Sequence, residues 1–410
     1  MVALACLAVW CVGTTLGAFS GVTTNPNNSF QASSSFGGAC PSVNPTHVWM
    51  SGIETGYSTS AGGGMFAPSV GTASVDSTIK RSGNYSLRLA PAATTAYRTR
   101  IWGVTLNPVV ERFAIRLESL PTSDVELAGM TVMPNQPPTT ELSFKYRAST
   151  QKFALTLGTG TVDATTSPVQ AGVWYLIEAR FDPTANPHTA DWRIDNVAQP
   201  SPPSYAAAAA DPYYIYWGSG SAATFTANYD DLMYSFTGSD YPLGDGKILA
   251  LKPNAMGTNV GAGNFQNELG GAIDANSWNR LDDVPMQNST DYIKQVTASS
   301  TSYLEVNFDD TVETCIRAVH GWVVFDPQNT NQANASKTSA FDGATESVID
   351  SGDNAANNSV FRPVSARVAP AAGTWTPAAL NGLVMRIGYA TDVSPVTMWH
   401  SLLLEYDVPQ

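Results

Sequence analysis

From His47 onward the chain consists of short runs in which apolar and polar residues alternate, and Gly-, Pro- and Asn-rich turns separate the runs. Alternation with a period of two places one face of a β-strand in a core and the other face in solvent. The clearest runs are 86–90 (SLRLA), 112–117 (RFAIRL), 174–181 (WYLIEARF) and 191–195 (DWRID). The sequence therefore predicts an all-β protein, and the spacing of the runs is typical of β-sandwiches.

The scarcity of charge supports this fold class. Charged residues make up only 13% of the 410 residues, and just seven of them are Lys. Long exposed helices need Glu, Lys and Arg on their outer faces, so a helix-rich architecture is excluded. The net charge of −13 also argues against a nucleic-acid groove or an anionic membrane as a partner.

The chain divides by composition into four parts. Residues 1–18 are an apolar segment, which favours an export signal, with a retained anchor or a buried assembly segment as alternatives. Residues 19–44 form a Ser/Thr/Asn-rich strap. Residues 45–238 and 239–410 are predicted to be two β-sandwich (jelly-roll) domains in tandem.

The phrase at 17–30, GAFSGVTTNPNNSF, resembles the signal-exit region of the SipW/TasA-type exported surface-fibre proteins. That resemblance implies export, so the expected location is extracellular or the cell surface.

Three phrases of the first domain resemble the laminin-G/concanavalin A-like jelly roll: 51–56 (SGIETG), 172–181 (GVWYLIEARF) and 228–234 (NYDDLMY). The resemblance implies that the first and last strands pair. It also implies a structural Ca²⁺ between them.

Calcium prefers hard oxygen ligands, and the carboxylates that fall on the matching positions are Glu54, Asp230 and Asp231. The alternative is that Asp230 and Asp231 only end a strand and face solvent.

Glycan binding by the concave face of such a jelly roll would use Trp and Tyr rings as stacking platforms. The candidates are Trp102, Trp192, Tyr214, Tyr216 and Trp217. The alternative is that the run YIYW at 214–217 is a strand with its aromatic face in the core.

The second domain resembles the carboxy-terminal domain of tailed-phage structural proteins. The phrases are 229–232 (YDDL), leading through 243–247 (LGDGK) into 251–254 (LKPN). This resemblance makes the virion an alternative location.

Cysteines and sequons are compatible with export. Outside the apolar segment only Cys40 and Cys315 remain, and a disulfide between them would tie the strap to the second half; two buried thiols are the alternative. Sequons permit glycosylation at five positions: Asn27, Asn84, Asn288, Asn334 and Asn357.

No catalytic constellation is recognisable in the sequence. The paired carboxylates of a glycosidase strand, a G-x-S-x-G nucleophile phrase and a nucleotide fingerprint are all missing, and His188 in its Pro-flanked turn is expected to be exposed. The sequence therefore predicts that the protein is not an enzyme.

The leading hypothesis is an extracellular surface subunit that assembles with copies of itself into a filament, sheath or surface layer, coated with glycan or binding polysaccharide. One alternative is a phage virion protein, from the tail or capsid surface, that recognises host glycan. The other is a secreted carbohydrate-binding or carbohydrate-cleaving protein.

Overall fold

The computed structural model of this chain describes most residues from Thr46 to Gln410. The described residues are 46–58, 65–66, 69–101, 107–132, 139–208, 212–284, 286, 291–327, 336–350, 362–392 and 396–410. The apolar segment 1–18 and the strap 19–44 lie outside them.

The first half of the described chain folds into fifteen strands, which we call the first sandwich. They are β1 (His47–Ser51), β2 (Ser69–Val70), β3 (Ala73–Asp76), β4 (Ser86–Leu89), β5 (Ala92–Ile101), β6 (Val109–Leu117), β7 (Val125–Val132), β8 (Thr139–Arg147), β9 (Lys152–Leu157), β10 (Gly160–Asp163), β11 (Trp174–Asp182), β12 (Thr189–Ile194), β13 (Val197–Ala198), β14 (Pro212–Thr224) and β15 (Ala227–Ser235).

These strands form two antiparallel sheets. One has eight strands in the order β13-β12-β11-β6-β15-β4-β3, with β1 also paired to β15. The other has seven strands in the order β10-β9-β8-β7-β14-β5-β2. Aromatic side chains of both sheets meet between them; the rings of Phe113 on β6 and Phe144 on β8 lie 5.6 Å apart. The pairing of β1 with β15 is the one that the jelly-roll resemblance implies.

The rest of the described chain contributes eleven strands, the second sandwich. They are β16 (Gly246–Leu251), β17 (Pro253–Val260), β18 (Phe265–Asn267), β19 (Ile293–Gln295), β20 (Tyr303–Phe308), β21 (Ala318–Pro327), β22 (Ser336–Phe341), β23 (Glu346–Asp350), β24 (Arg362–Val368), β25 (Val384–Tyr389) and β26 (Thr397–Pro409).

These eleven strands again form two antiparallel sheets. A six-stranded sheet has the order β18-β19-β26-β21-β24, with β16 paired to β26, and a five-stranded sheet has the order β17-β20-β25-β22-β23. The single α-helix among the described residues is α1 (Pro377–Asn381), where the Thr376 side chain accepts a hydrogen bond from the N–H of Ala379. Searched over the described residues, the chain has no helix of the length and apolarity needed to cross a membrane.

The predicted fold class is confirmed, because the chain is almost entirely β and its antiparallel sheets form sandwiches. The two sandwiches share their cores. Trp322 and Leu403 of the second sandwich are buried in the main cluster of the first, and the Trp49 and Trp322 rings lie 6.2 Å apart. The described residues accordingly belong to one compact unit, Pro41–Gln410, and the division into two domains near residue 239 stays a prediction.

Candidate functional site

The three carboxylates predicted to bind calcium lie together, against the segment 77–85 that joins β3 to β4. Glu54 follows β1, and because β1 pairs with β15, it is brought to the part of the sheet that carries Asp230 and Asp231. Glu54 accepts hydrogen bonds from the backbone N–H and the side-chain amide of Asn84, at 2.7 and 2.8 Å. The partner of Glu54 in this structure is thus a protein amide, and its role as a metal ligand stays a prediction.

The oxygens of Asp230 and Asp231 are also engaged by protein donors. Asp231 accepts from the Arg81 guanidinium, the Ser82 hydroxyl and the N–H of Ile248, each at 2.6 Å. Asp230 accepts from the N–H of Arg81 at 2.8 Å. Both side chains are fully buried, so the alternative in which they face solvent is wrong.

A calcium ion needs six to eight oxygen ligands that are free to turn toward it. Here the Arg81 guanidinium is already the cationic partner of Asp231. Across the described part of the chain, no cluster of three or more His, Cys, Asp or Glu side chains is arranged to hold a metal ion. Structural Ca²⁺ stays a prediction, and nothing below depends on it.

A second buried carboxylate, Glu405 on β26, links the two sandwiches. Its Oε1 accepts from the Ser51 hydroxyl and from the N–H groups of Gly52 and Glu54, at 3.1, 3.1 and 3.2 Å, and its Oε2 accepts from the Trp322 indole at 2.7 Å. The intervening N–H of Ile53 donates instead to the Ser51 hydroxyl. Burial and the nearby Glu54 carboxylate raise the pKa of Glu405 to about 8.

Asp407, two residues further along β26, forms a buried ion-pair cluster with an arginine from each sandwich. Arg112 and Arg317 each place a nitrogen 2.7 Å from its carboxylate oxygens. Burial raises the pKa of Asp407, but the two guanidinium groups outweigh burial and the net shift is downward. Gly246 packs on the cluster, where a Cβ would lie 1.8 Å from an Arg317 nitrogen. We call the contacts of Glu405 and Asp407 the joint. Because the joint is buried, it holds the two sandwiches together and is not a ligand site.

Two of the five aromatic residues predicted to stack on glycan are core residues. Trp192 and Trp217 are at most 1% exposed, and both belong to the main hydrophobic cluster. Each lies on the core face of its strand, so neither ring can reach a ligand. Tyr214 and Tyr216 lie on the other face of β14, with Tyr214 half-buried and Tyr216 only 4% exposed. Trp102 lies outside the described residues.

The outward face of the seven-stranded sheet carries a cavity of about 370 Å³, which we call the sheet-face cavity. It lies on β7, β8, β10 and β14, and its walls are mainly polar. Its lining residues are Asp124, Val125, Glu126, Lys145, Arg147, Thr161 and Ser221.

Charged side chains of the cavity are held in place from several strands. Glu126 and Lys145 are directly opposite each other in the β7–β8 register. Arg147 forms ion pairs with Asp163 at 2.9 Å and with Asp124 at 3.7 Å. Lys145 is half-buried and has no ion-pair partner among the described residues, so its ammonium remains available for a ligand.

Tyr216 lies beneath the cavity, close to Glu126. The Glu126 carboxylate accepts a hydrogen bond from the N–H of Gly220 at 3.0 Å, and its charge acts on the Tyr216 hydroxyl. The Tyr216 hydroxyl also lies 3.0 Å from that of Thr140. Burial first, and the Glu126 charge second, raise the pKa of Tyr216 well above its ordinary value. The ring packs over Gly129, where a Cβ would lie 2.4 Å from the Tyr216 oxygen.

The sequence did not indicate Glu126, Lys145 or Arg147 as site residues. They lie on two strands as ordinary polar positions of an alternating pattern, and a third and fourth strand complete the cavity. No local motif marks such a site, because only sheet pairing brings its residues together.

The other predicted sites are described only in part. Cys315 is disulfide-bonded, but Cys40 lies outside the described residues, so their pairing stays a prediction. Asn84 is exposed, although its amide nitrogen already donates to Glu54, which does not favour a glycan there. The remaining sequons lie outside the described residues: Asn27, Asn288, Asn334 and Asn357.

Comparison with known proteins gives similarity to solved structures only. Neither the protein-family models nor the curated proteins yield a match. "Cellulose induced protein, Cip1" is 15% identical with a TM-score of 0.35, over 46% of this chain and 97% of that one. Trypanosoma rangeli sialidase in complex with the inhibitor DANA is 11% identical with a TM-score of 0.32, over 40% of this chain and 27% of that one.

Another structure, named sialidase, is 13% identical with a TM-score of 0.32, and the match covers 42% of this chain and 17% of that one. The matches thus span only about a quarter or less of the sialidases' length. The SipW/TasA-type and phage-type resemblances stay predictions.

The prediction that the chain is not an enzyme is contradicted by these comparisons, because sialidases are enzymes. It was inferred from missing sequence motifs, and the residues of a glycosidase need not be close in sequence. We therefore withdraw it.

Proposed function

We propose that this protein recognises carbohydrate through the sheet-face cavity. The observation that carries the proposal is the makeup of that cavity, in which fixed charged and hydroxyl groups line about 370 Å³ on an otherwise packed sheet. The similar structures, Cip1 and the sialidases, agree with the carbohydrate-related alternative better than with an assembly subunit, but the argument rests on the cavity.

The chemistry of a sugar matches this lining. Each sugar hydroxyl both donates and accepts a hydrogen bond, so it is bound well by a donor and an acceptor held side by side. Lys145 and Glu126 are such a pair, since they are opposite one another in the register. Glu126 is held by the N–H of Gly220, so less conformational entropy is lost when a ligand binds to it.

Lys145 gives the cavity a cation that no described carboxylate neutralises by ion pairing. Charge-assisted hydrogen bonds are about twice as strong as neutral ones. The loss of Lys145 should therefore weaken sugar binding.

Several earlier expectations remain predictions. An extracellular or cell-surface location fits a carbohydrate-recognising protein, and a polysaccharide is the partner that the cavity favours. Assembly with copies of itself, and a role in a virion, have no support among the described contacts.

The proposal is tested with a glycan array probed by the wild-type protein, Lys145→Ala and a matched control, Lys294→Ala. Lys294 is also half-buried on a strand, β19, but lies in the second sandwich. We expect wild type and the control to bind the same glycans, and Lys145→Ala to bind them about tenfold more weakly. An array with no bound glycan, or equal binding by all three proteins, would contradict the proposal.

The same glycans are then incubated with wild-type protein, and new reducing ends are measured. Products from a bound glycan would add cleavage to recognition, while binding without products would leave recognition as the function.

A further inference from the structure

The second sandwich has a cavity of its own, which the proposed function does not use. It has a volume of about 230 Å³ and lies on the five-stranded sheet, beside the turn that precedes β20. We call it the Arg386 groove. Its lining residues include Ser302, Tyr303, Lys337, Ser339, Glu346 and Arg386.

Arg386 is fixed on one wall of the groove. Its guanidinium carbon lies 3.6 Å from the centre of the Phe341 ring and 4.6 Å from that of Tyr303. Its Nε and Nη2 donate to Oε1 of Glu305, at 2.9 and 2.7 Å. A guanidinium held by two rings and a carboxylate is oriented before any ligand arrives. Its Nη1 makes no hydrogen bond to the described residues, so this edge is available to a ligand.

Glu346 presents acceptors on the opposite side. It accepts from Lys337, with an ion-pair distance of 2.8 Å, and from the Ser339 hydroxyl. Burial raises the pKa of Glu346, but the bonds from Lys337 and Ser339 outweigh burial and the net shift is downward. Glu346 therefore stays an ionised acceptor at neutral pH.

The strand register places these groups in one row. Glu305 on β20 is opposite Arg386 on β25, and Arg386 is opposite Ser339 on β22. Residues opposite each other in a ladder point to the same face of the sheet. The row thus places the Arg386 guanidinium beside the Ser339 hydroxyl, and Glu346 on the next strand, β23, accepts a hydrogen bond from that hydroxyl.

The charges of the groove balance. The cations Arg386 and Lys337 are paired one to one with the anions Glu305 and Glu346. A balanced site has no net attraction for an anion or a cation. What remains are alternating donors and acceptors beside the Tyr303 ring, which suit a neutral ligand rich in hydroxyl groups.

We propose that the Arg386 groove is a second binding site, which takes a neutral saccharide unit through its vicinal hydroxyls. One hydroxyl accepts from Arg386 Nη1 and its neighbour donates to Glu346. This site is on a different sandwich from the sheet-face cavity and does not depend on it.

Saturation-transfer NMR with neutral methyl glycosides tests this inference. The probes are methyl α-D-mannopyranoside, methyl β-D-glucopyranoside and methyl β-D-galactopyranoside. The proteins are wild type, Glu346→Gln, Ser339→Ala and a matched control, Glu313→Gln. Glu313 pairs with Lys247 at 2.9 Å and is as exposed as Glu346, but it lies outside the groove.

We expect at least one glycoside to bind wild type and Glu313→Gln equally, and to bind Glu346→Gln about tenfold more weakly. Ser339→Ala, a milder change, should show a smaller loss. Every measurement is repeated in a Lys145→Ala background, in which the sheet-face cavity is impaired. We expect binding at the Arg386 groove to persist there. Failure of the proposed function and failure of this inference are therefore distinguishable.

Two results would overturn the inference. One is that no glycoside binds the Lys145→Ala protein. The other is that sodium sulfate displaces the bound glycoside, because a groove that prefers an anion is not the balanced site described above.

Discussion

Asp407 lies between two guanidinium groups where no water reaches it. Its side chain and that of Arg112 are completely buried, and Arg317 is 4% exposed. A charge taken out of water is stable only when partners replace its hydration. Each buried charge of the joint is therefore stable only while its partner charges are present.

We expect Asp407→Asn to lower the free energy of unfolding by about 3–5 kcal/mol, because it leaves two buried guanidinium groups without their carboxylate. Urea unfolding followed by tryptophan fluorescence measures this change. Glu313→Gln, which removes the half-exposed pair with Lys247, should cost less than about 1 kcal/mol. Similar losses in the two variants would contradict this account of the joint.

Glu54 makes stability depend on pH. Burial raises its pKa from 4.5 to about 7, and Asn84 and Tyr85 only partly offset this. The unfolded chain releases the proton near pH 4.5 and the folded chain near pH 7. Stability therefore falls as the pH rises through this window, by up to about 3 kcal/mol. The Glu405 carboxyl, with a pKa of about 8, extends the decline.

Urea unfolding at pH 5 and pH 8 tests this sign. The free energy of unfolding of wild type should be lower at pH 8 than at pH 5. This difference should be smaller in Glu54→Gln, because the substitution removes one of the titrating groups. The same pH dependence in Glu54→Gln and wild type, or higher stability at pH 8 than at pH 5, would contradict the prediction.

For single residues, the sequence was informative about position where a segment resembled the jelly-roll family. The phrases around Glu54 and Asp230 mark carboxylates that both accept hydrogen bonds from the β3–β4 connection. Their partner Arg81 was not predictable, because it arrives from the β3–β4 connection. His188 was expected to be exposed, but it is buried with its Nδ1 2.6 Å from Glu141. Local sequence does not reveal which strand covers a turn.

Strand β7 connects the packing of the seven-stranded sheet to the sheet-face cavity. Glu126 at its start faces the cavity, and Gly129 leaves room for the ring of Tyr216. Burial raises the pKa of Tyr216, and its hydroxyl is close enough to Glu126 for that charge to raise the pKa further, so we expect the ring to limit where the Glu126 carboxylate lies. A change in the middle of the strand should therefore alter the site at its beginning.

We expect Gly129→Ala to destabilise the protein by about 1–3 kcal/mol and to weaken glycan binding. Its Cβ would lie 2.6 Å from the Tyr216 ring and 2.7 Å from the carbonyl oxygen of Leu142, which cannot move as a side chain can. Thermal unfolding and binding to an array-selected glycan are measured together. Gly263→Ala is the control, because a Cβ there has no atom within 4 Å. Unchanged binding by Gly129→Ala would show that Tyr216 does not position Glu126.

The strands themselves were predictable, because alternation is a local property. The runs at 112–117 and 174–181 fall within β6 and β11, which pair with each other. Sheet membership was not predictable in the same way. The run at 214–217 is a strand with one face in the core, but which of its rings lie inside depends on the parity of its pairing with β5 and β7.

The whole molecule from Pro41 onward is one compact unit in spite of its two sandwiches. Besides the charges of the joint, a separate apolar cluster mixes both sandwiches, with Met50 and Met233 of the first packed with Ile248 and Ala318 of the second. The sequence predicted two sandwiches side by side but not a shared core, since the buried polar contacts between them are far apart in sequence.

Calorimetry should therefore show a single unfolding transition, with a van't Hoff enthalpy equal to the calorimetric enthalpy. Asp407→Asn should shift that one transition to lower temperature without splitting it. Two separate transitions in wild-type protein would mean that the sandwiches unfold independently and that the joint does not couple them.

Carbohydrate recognition by the sheet-face cavity requires that Glu126 contribute to affinity. Isothermal titration of the best glycan from the array into wild type, Glu126→Gln and Glu118→Gln measures this contribution. Glu118 also forms part of an ion pair in the first sandwich, with Arg88 at 2.7 Å, but does not line the cavity. We predict that Glu126→Gln binds about tenfold more weakly than wild type, whereas Glu118→Gln binds equally well. Equal affinity of all three proteins for the glycan would contradict the claim.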